Sequence, residues 1–319
     1  MDLILGEKKL KSRVFLAPMA GGTDLPFREI VRGFGDFVMY SEMVASYAVI
    51  RDVNRTRRMM ELTGDEWTGI QIVGADPRIM AEAARKSHDL GAPFLDINMG
   101  CPVKKIVKTE AGSALMKNER LAAEIMRAVV RAVPIPVTLK IRLGWSEEHQ
   151  NAIQIARIAQ DSGIQMISVH GRTRSQLYTG KADWRAIRTV KESVQIPVIV
   201  NGDITSVETA KEALEEGRAD GVMIGRGTLG APWILRQIHD SIEGYSQDSL
   251  ITAMTRRNTL ENHIQKIFEF YPSSKAIINC KKVLMMYCRG TPNASQIRQQ
   301  IMTIEDLAQI NEIMQMIFE

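Results

Sequence analysis

The feature that most constrains the fold of this chain is a regular alternation of short apolar runs with segments of helical pattern. The eight runs are Arg13–Met19, Asp36–Met43, Trp67–Gly74, Pro93–Gly100, Pro136–Gly144, Met166–Gly171, Pro197–Asp203 and Gly221–Arg226. Apolar, β-branched runs that alternate with helices are typical of a parallel sheet covered on both faces. Eight such units within roughly 230 residues predict an α/β fold, a (β/α)8 TIM barrel.

Capping residues support the helices between the runs. Pro77 follows Asp76 at the start of PRIMAEAARKSHDLG, and Gly91 lies past its end. Ser206 begins SVETAKEALEEG, which we expect Gly217 to terminate. No G-x-G-x-x-G motif follows the first run, so an open dinucleotide-binding sheet loses its main support.

The alternation stops around residues 244–249, and the pattern from there to residue 319 is helical, punctuated by Pro272 and Pro292. We predict a barrel domain at residues 1–243 and a small all-α C-terminal domain at residues 244–319. The second segment has eight Lys and Arg residues against seven Asp and Glu. Because the charges nearly balance, this segment can form a basic face only if its Lys and Arg residues cluster in space. The alternative is that they lie on an ordinary solvated helix surface.

Composition excludes several classes of protein. The 319 residues are 45% hydrophobic and 24% charged, as in ordinary soluble proteins. The sequence has no run of 18 apolar residues, and the N-terminus lacks the order of a secretory signal. We expect a cytoplasmic protein with no membrane contact and no evident protein partner. Three widely spaced cysteines without a C-x-x-C pair argue against disulfides and a metal site. The net charge of +4 permits a polyanionic partner without requiring one.

The carboxyl ends of the eight runs carry polar or otherwise distinctive residues. In a (β/α)8 barrel the active site is built at these ends. They are Pro18 and Met19, Glu42, Gln71, Asn98 with Cys101, Lys140 with Arg142, His170 with Arg172, Asn201 with Asp203, and Gly225 with Arg226. A single polar residue at the end of a strand usually marks only the point where the strand leaves the core. Polar or distinctive residues at the ends of all eight runs predict a ligand-binding mouth.

The last two runs favour a phosphate site. They end in Asn-Gly-Asp and Ile-Gly-Arg-Gly, and the loops after strands 7 and 8 commonly bind phosphate in such barrels. Gly202, Gly225 and Gly227 would let backbone N–H groups approach an anion, and Arg226 would add charge. The alternative is that these glycines only make tight turns.

Three further side chains indicate chemistry at the mouth. Lys140 lies inside the apolar run PVTLKIR, where a lysine is costly unless it has an anionic partner or a chemical role. It would act either as a Schiff-base lysine or as a cation facing an electron-rich cofactor. His170 would contact a phosphate or a ring, or be a hydrogen-bonded core histidine. Gln71 offers the donor and acceptor that a flavin or pyrimidine edge requires.

Cys101 follows the fourth run in DINMGCPVKKI. Taken alone, it is either a small apolar residue in a turn or a reactive thiol at the mouth. Pro102 disfavours a helical conformation at Cys101, so we expect an extended loop that can move. Lys104 and Lys105 could lower the pKa of the thiol or contact an anionic partner.

A set of motifs in order resembles the tRNA-dihydrouridine synthase family, and its bacterial B-type branch most of all. The motifs are APMAGGTDLPFR (17–28), YSEM (40–43), QIVG (71–74), DINMGCPVKKI (96–106), GSALM (112–116), LKIRLGW (139–145), HGRTR (170–174), NGDI (201–204) and MIGRG (223–227). The resemblance spans nearly the whole chain, including a helical C-terminal domain that would bind tRNA.

This resemblance implies an enzyme that uses FMN and NADPH to reduce the C5–C6 double bond of uridines in the tRNA D-loop. Hydride would pass from flavin N5 to C6, and Cys101 would give a proton to C5. The implied FMN-binding residues are Pro18, Met19, Ala20, Gln71, Lys140, His170, Asn201, Gly202, Asp203, Gly225 and Arg226. The implied uridine contacts are Asn98, Arg172 and Tyr178.

Three other functions stay open at this stage. A dihydroorotate-dehydrogenase-like oxidoreductase of free pyrimidines would share the FMN barrel but not the need for an RNA-binding domain. A lyase or aldolase would use Lys140 as a Schiff base and bind no flavin. A non-catalytic RNA-binding module would not depend on Cys101. The sequence does not encode which D-loop uridines are modified.

Overall fold

The computed structural model describes residues 3–62, 64, 66–245 and 251–318. The strands are β1 Ile4–Leu5, β2 Lys8–Lys9, β3 Val14–Leu16, β4 Met39–Tyr40, β5 Val44–Ala45, β6 Thr68–Val73, β7 Leu95–Met99, β8 Val137–Arg142, β9 Met166–His170, β10 Val198–Asn201 and β11 Gly221–Ile224. The helices up to the end of the barrel are α1 Leu25–Arg32, α2 Ser46–Ile50, α3 Asn54–Met60, α4 Pro77–Asp89, α5 Lys104–Val107, α6 Glu119–Ala132, α7 Ala152–Asp161, α8 Trp184–Glu192, α9 Val207–Gly217 and α10 Ile234–Glu243. Four more follow, α11 Ala253–Phe270, α12 Ser273–Tyr287, α13 Ala294–Thr303 and α14 Leu307–Phe318, and 3₁₀ turns cover Gly112–Lys117 and Arg226–Thr228.

Eight of the strands form a parallel barrel. Their order is β3-β11-β10-β9-β8-β7-β6-β4, and each neighbouring pair is parallel. A parallel bridge between Phe15 and Val38 closes the ring, where the Leu16 N–H donates to the Val38 carbonyl at 2.9 Å. The predicted TIM barrel is confirmed.

The observed strands are shorter than the predicted runs, and one is divided. The run predicted as Asp36–Met43 forms β4 and then, after a break, β5, which pairs with β6. A short antiparallel hairpin, β1 with β2, precedes the barrel and was not predicted. Its strands have two residues each, which is too short for an alternation of apolar and polar residues to be recognised in the sequence.

Two helices show the expected starts. The Asp76 side chain accepts hydrogen bonds from the N–H groups of Arg78 at 2.8 Å and Ile79 at 3.1 Å at the start of α4. Ser206 caps α9 through the Thr209 N–H. Helix α9 ends at Gly217, as predicted, and Arg218, with φ of 45°, adopts the left-handed conformation directly after it.

Apolar side chains fill the lower half of the barrel interior. The hairpin contributes Leu3, Leu5 and Leu10 to a buried cluster that also contains Phe15, Val38, Tyr40, Trp67, Phe94, Met166, Ile199 and Met223. Packing is tight, since a Cβ added at Gly69 would overlap the Phe94 ring. The amino ends of the strands are therefore closed by apolar side chains.

The four C-terminal helices form the all-α region that the sequence predicted, and they pack around a second core that also contains Trp233, which precedes α10. The buried residues that α11 to α14 contribute include Leu260, Ile264, Leu284, Ile297, Ile301, Ile310 and Ile313. This unit contacts the barrel through ring contacts such as that of His263 with Phe27, whose centroids lie 5.6 Å apart, and through polar links to α1 and the residue before it. The Tyr271 hydroxyl donates to Asp24 at 2.9 Å, and the Lys266 ammonium pairs with Glu29 at 2.7 Å.

The predicted division at residues 243/244 stays a prediction. Helix α10 ends at Glu243, and residues 246–250, where the prediction places most of the junction, lie outside the described residues, as does residue 319. Within the described part of the chain, no helix is long and apolar enough to cross a membrane.

Candidate functional site at the barrel mouth

Strand alternation places a ladder of polar side chains inside the upper barrel. Asp96 and Asn98 are two residues apart on β7, so they point to the same face. The register pairs Asp96 with Gln71 of β6 and with Thr138 of β8, and pairs Asn98 with Lys140. Three neighbouring strands therefore bring Gln71, Asp96 and Thr138 to one layer, with Asn98 and Lys140 in the next layer towards the mouth.

Hydrogen bonds join part of this ladder into a chain. The Gln71 amide Nε2 donates to Asp96 Oδ2 at 2.6 Å, and Asn98 Nδ2 donates to Gln71 Oε1 at 3.0 Å. Asn98 Oδ1 then accepts the N–H of Cys101 at 2.9 Å and that of Gly100 at 3.2 Å. The structure thus brings together Gln71, Asn98 and Cys101, which the sequence assigned to different roles.

Lys140 is held by a hydrogen bond rather than left free. Its Nζ donates to Asn201 Oδ1 at 3.0 Å, and Asn201 Nδ2 donates to the Met223 carbonyl at 2.7 Å. The side chain keeps partial exposure at the mouth, yet burial of its length lowers its pKa to about 8, with a further contribution from the cation of Arg142. Lys140 is consequently a directed donor whose charge is only partly retained above neutral pH.

His170 is buried with an unused ring nitrogen. Burial, with the nearby cations Lys140 and Arg142, holds the pKa of His170 well below its ordinary value, so the imidazole is neutral at pH 7. Its Nδ1 is buried and has no hydrogen-bond partner among the described residues. A buried polar atom of this kind needs a partner that a ligand can supply.

Both backbone polar groups of Cys101 are tied down. Besides the Asn98 bond to its N–H, its carbonyl accepts the N–H of Ser113 at 3.1 Å and the Ser113 hydroxyl at 2.9 Å. This anchoring argues against the mobile loop expected from Pro102. Burial raises the pKa of the Cys101 thiol, against the opposing effects of the Val103 N–H and the Arg142 charge. The thiol is protonated at neutral pH.

The residues predicted to bind phosphate lie at the ends of β10 and β11, and one of them, Asp203, forms an ion pair with Arg172, which follows β9. Arg172 donates to both carboxylate oxygens of Asp203, at 2.9 and 2.7 Å, and also to the carbonyls of Thr179 and Gly180. Burial opposes ionisation of Asp203, but these bonds outweigh it and lower its pKa. The Arg172 guanidinium donates four hydrogen bonds within the protein, and its predicted uridine contact remains a prediction. Gly202 has φ of 118°, which favours glycine.

Tyr178 is exposed at the rim between two cations. The guanidinium carbons of Arg142 and Arg226 lie 5.4 and 4.8 Å from its ring centroid. The His170 ring lies 6.4 Å from it, edge to face. Arg226 is 57% exposed, so it can meet an anion, whereas Arg142 is buried and donates to the carbonyls of Gly100, Thr173 and Leu177.

The loop after β3 carries Pro18, Met19 and Ala20 to the same end of the barrel. Met19 is partly buried, and its sulfur would be 3.6 Å from a Cβ at Gly225, so this loop adjoins the end of β11. The Gly21 N–H donates to Glu42 at 2.6 Å, and burial raises the pKa of that carboxyl. Ala20 is exposed.

A cleft of about 460 Å³ adjoins this loop between the barrel and the C-terminal helices. Its lining includes Gly21 and Glu42 together with four exposed cations from both sides, Arg55, Arg58, Lys275 and Lys282. A larger groove of about 680 Å³ lies between α11 and α14, away from the strand ends. The cleft joins a basic surface to the mouth, and the groove does not.

Comparison with known proteins identifies the family. The model of the family described as dihydrouridine synthase (Dus) matches residues 15–319. The chain belongs to this family. A probable tRNA-dihydrouridine synthase of Rickettsia bellii is 43% identical over 304 residues, covering 95% of this chain and 93% of that protein. A tRNA-dihydrouridine synthase B of Shewanella oneidensis is 40% identical over 316 residues, covering 99% and 98%.

Two solved structures share the fold. Histamine dehydrogenase from Rhizobium sp. 4-9 superposes with a TM-score of 0.59 at 15% identity, covering 83% of this chain and 50% of that one. A 2-naphthoyl-CoA reductase gives 0.57 at 13% identity, covering 76% and 52%. This chain spans about half the length of each. At these identities the likeness supports the barrel fold and nothing further.

Sequence reasoning missed residues that support the site without facing solvent. Asp96, Thr138 and Ser113 were not singled out, although Asp96 shares the face of Asn98 two residues later. Ser113 reaches Cys101 across twelve positions, and no local pattern reveals such a contact. Among the described residues, no group of three or more His, Cys, Asp or Glu could hold a metal ion.

Proposed function

We propose that this chain reduces the C5–C6 double bond of uridines in the D-loop of tRNA, with FMN as bound cofactor and NADPH as reductant, in the cytoplasm. Its family and its curated relatives support the reaction class. The observation that carries the proposal is the position of Cys101. Its backbone N–H is anchored by Asn98, which is itself bonded to Gln71, and burial raises the pKa of its thiol.

The residues present fit a flavin. Gln71 offers an amide edge, Lys140 a directed cation, and His170 a ring nitrogen that has no partner among the described residues. Met19 supplies an apolar contact beside Gly225. Reduced FMN, when bound, would supply the hydride that adds to C6 of the uracil. We propose Pro18, Ala20, Asn201, Gly202, Asp203 and Arg226 as further contacts of the cofactor.

Cys101 completes the reaction by giving a proton to C5. A thiol with a raised pKa keeps its proton through neutral pH and can release it to a strongly basic carbon. General acids of this kind contribute about 10²- to 10⁴-fold in rate. Lys140, held by Asn201, would place its positive charge against negative charge on the reduced cofactor. Asn98 and Tyr178 are proposed uridine contacts, as is Arg172, which would act after rearrangement of its ion pair.

The substrate must present its base outside the folded tRNA, because a stacked uridine cannot reach a barrel mouth. The cleft with Arg55, Arg58, Lys275 and Lys282 offers charge for the phosphates beside that mouth. Binding through such cations weakens as salt rises.

The test is single-turnover reduction by the purified, FMN-loaded protein. We expect reoxidation of the reduced enzyme by unmodified tRNA and not by free uridine or orotate. Turnover of the free pyrimidines without tRNA would instead establish the oxidoreductase alternative. A preparation that stays colourless after FMN is added would overturn the cofactor and favour a Schiff-base role for Lys140.

Cys101→Ala tests the proton donor. We expect a loss of about 10²-fold or more in the rate of uridine reduction, with FMN and tRNA still bound. Cys280→Ala is the matched control, because Cys280 is buried in the helical unit and should leave the rate unchanged. A wild-type rate for Cys101→Ala would contradict the assignment.

A further inference from the structure

Asp96 is a buried carboxylate that the proposed chemistry does not use. Its residue is 1% exposed, and its two oxygens accept hydrogen bonds from Gln71 Nε2 and from the Thr138 hydroxyl, each at 2.6 Å. It lies one layer below Asn98 and Lys140, so it does not face a ligand at the mouth. A buried charge retained in such a position costs stability and calls for a role.

The hydrogen-bond chain above Asp96 has fixed requirements at both ends. An ionised carboxylate can only accept, and the backbone N–H of Cys101 can only donate. The two amides between them, Gln71 and Asn98, each have one donor end and one acceptor end. Only one orientation of each amide satisfies every link, with Gln71 Nε2 towards Asp96 and Asn98 Oδ1 towards Cys101.

We propose that Asp96 is a positioning residue that sets the orientation of the Gln71 and Asn98 amides and thereby holds the backbone of Cys101 at the mouth. Reversing the Gln71 amide would place its Oε1 against a carboxylate oxygen and its Nε2 against the Asn98 donor. Asn98 would then have to turn its own donor towards the Cys101 N–H, and the anchor would be lost.

A second role for the same carboxylate is charge compensation of Lys140, and it makes different demands. Each of the two groups raises the tendency of the other to stay charged. That role needs only a negative charge nearby and does not depend on Gln71. The positioning role requires an acceptor facing Gln71 and an intact amide at residue 71.

The experiment measures backbone hydrogen exchange in a peptide spanning residues 98–103, read by mass spectrometry on the cofactor-loaded protein without RNA. Asp96→Leu removes the acceptor, and we expect exchange of the Cys101 N–H to quicken about tenfold, the equivalent of one hydrogen bond of about 1.4 kcal/mol. Asp96→Asn should give a smaller increase, since one of its two amide orientations still presents an oxygen to Gln71.

Two further variants separate the roles. Thr138→Val removes the other hydrogen bond to the same carboxylate, and we expect it to leave exchange at Cys101 unchanged. Gln71→Met interrupts the chain with Asp96 in place, so it should quicken exchange as Asp96→Leu does, and it serves equally if Asp96→Leu fails to fold. Wild-type exchange in Gln71→Met would overturn the proposal, as would wild-type exchange in a folded Asp96→Leu protein.

The consequence for catalysis rests on the proposed function. In Asp96→Leu we expect the reduction rate to fall while the KM for tRNA changes little, because Cys101 is displaced and the RNA surface is not. Hydrogen exchange reports on the chain of amides whether or not the wild-type protein reduces uridine. Quickened exchange together with an inactive wild-type protein would contradict the proposed function and leave the positioning role standing.

Discussion

Burial of Asp96 makes the stability of this protein depend on pH in a direction opposite to that of most carboxylates. Burial raises its pKa from 3.8 to about 6, even though Thr138, Gln71 and Lys140 favour the charged form. A raised pKa means that the folded state holds the proton more tightly than the unfolded state. The stabilising effect of that proton is complete below pH 3.8 and is lost as pH rises through 6.

Asp96→Asn removes this titration with little change of shape. The shift of about 2.2 pKa units corresponds to about 3 kcal/mol in total, of which about 2 kcal/mol falls between pH 4.5 and pH 7.5. We therefore expect the free energy of unfolding of Asp96→Asn, relative to wild type, to increase by about 2 kcal/mol over that interval. Any pH-independent cost of the substitution cancels in the comparison.

Urea denaturation of both proteins at pH 4.5, 6.0 and 7.5, followed by tryptophan fluorescence and by circular dichroism, gives the difference at each pH. Thr138→Val serves as a control for the loss of a neighbouring hydrogen bond, and its difference from wild type should vary less with pH. A constant difference between wild type and Asp96→Asn would show that Asp96 does not titrate in this range. A difference that falls with rising pH would refute the reasoning.

Three other outcomes are expected. The alkylation rate of Cys101 should rise with pH at a higher midpoint than that of free cysteine, because burial raises its pKa, and a midpoint at or below the free value would contradict this. Gly69→Ala should destabilise the barrel by about 1–3 kcal/mol, because its methyl group overlaps the Phe94 ring, and an unchanged melting temperature would argue against the packing. Arg55→Ala and Lys282→Ala should each reduce the slope of log Kd for tRNA against log salt by about 1, whereas Lys11→Ala, beside Asp36 at the amino ends of the strands, should not.

The barrel was predictable because its strands are buried on both faces and its helices carry caps, so each unit is visible locally. Details that depend on contacts between distant parts of the chain were not predictable from the sequence. The division of the second run into β4 and β5 follows from pairing with β6, and the left-handed turn at Arg218 occurs one residue after the expected glycine. Neither feature can be recognised from the alternation of apolar and polar residues in the sequence.

The candidate site was predictable as a set of strand ends but not as a network. Alternation along β7 places Asn98 at the mouth, and the same rule places Asp96 beneath it. The link from Asn98 to Gln71, however, depends on the register between strands 27 residues apart in sequence. The ion pair of Arg172 with Asp203 likewise depends on the adjacent positions of the ends of β9 and β10.

The closed lower end of the barrel has a kinetic consequence. Leu3, Leu5 and Leu10 of the hairpin seal the amino ends of the strands, so the mouth is the entrance to the proposed cofactor. The nicotinamide reductant and the RNA of the proposed reaction would then occupy that entrance in turn. Double-reciprocal plots of rate against one reactant, at several fixed amounts of the other, should be parallel lines, and each reactant in excess should inhibit competitively against the other.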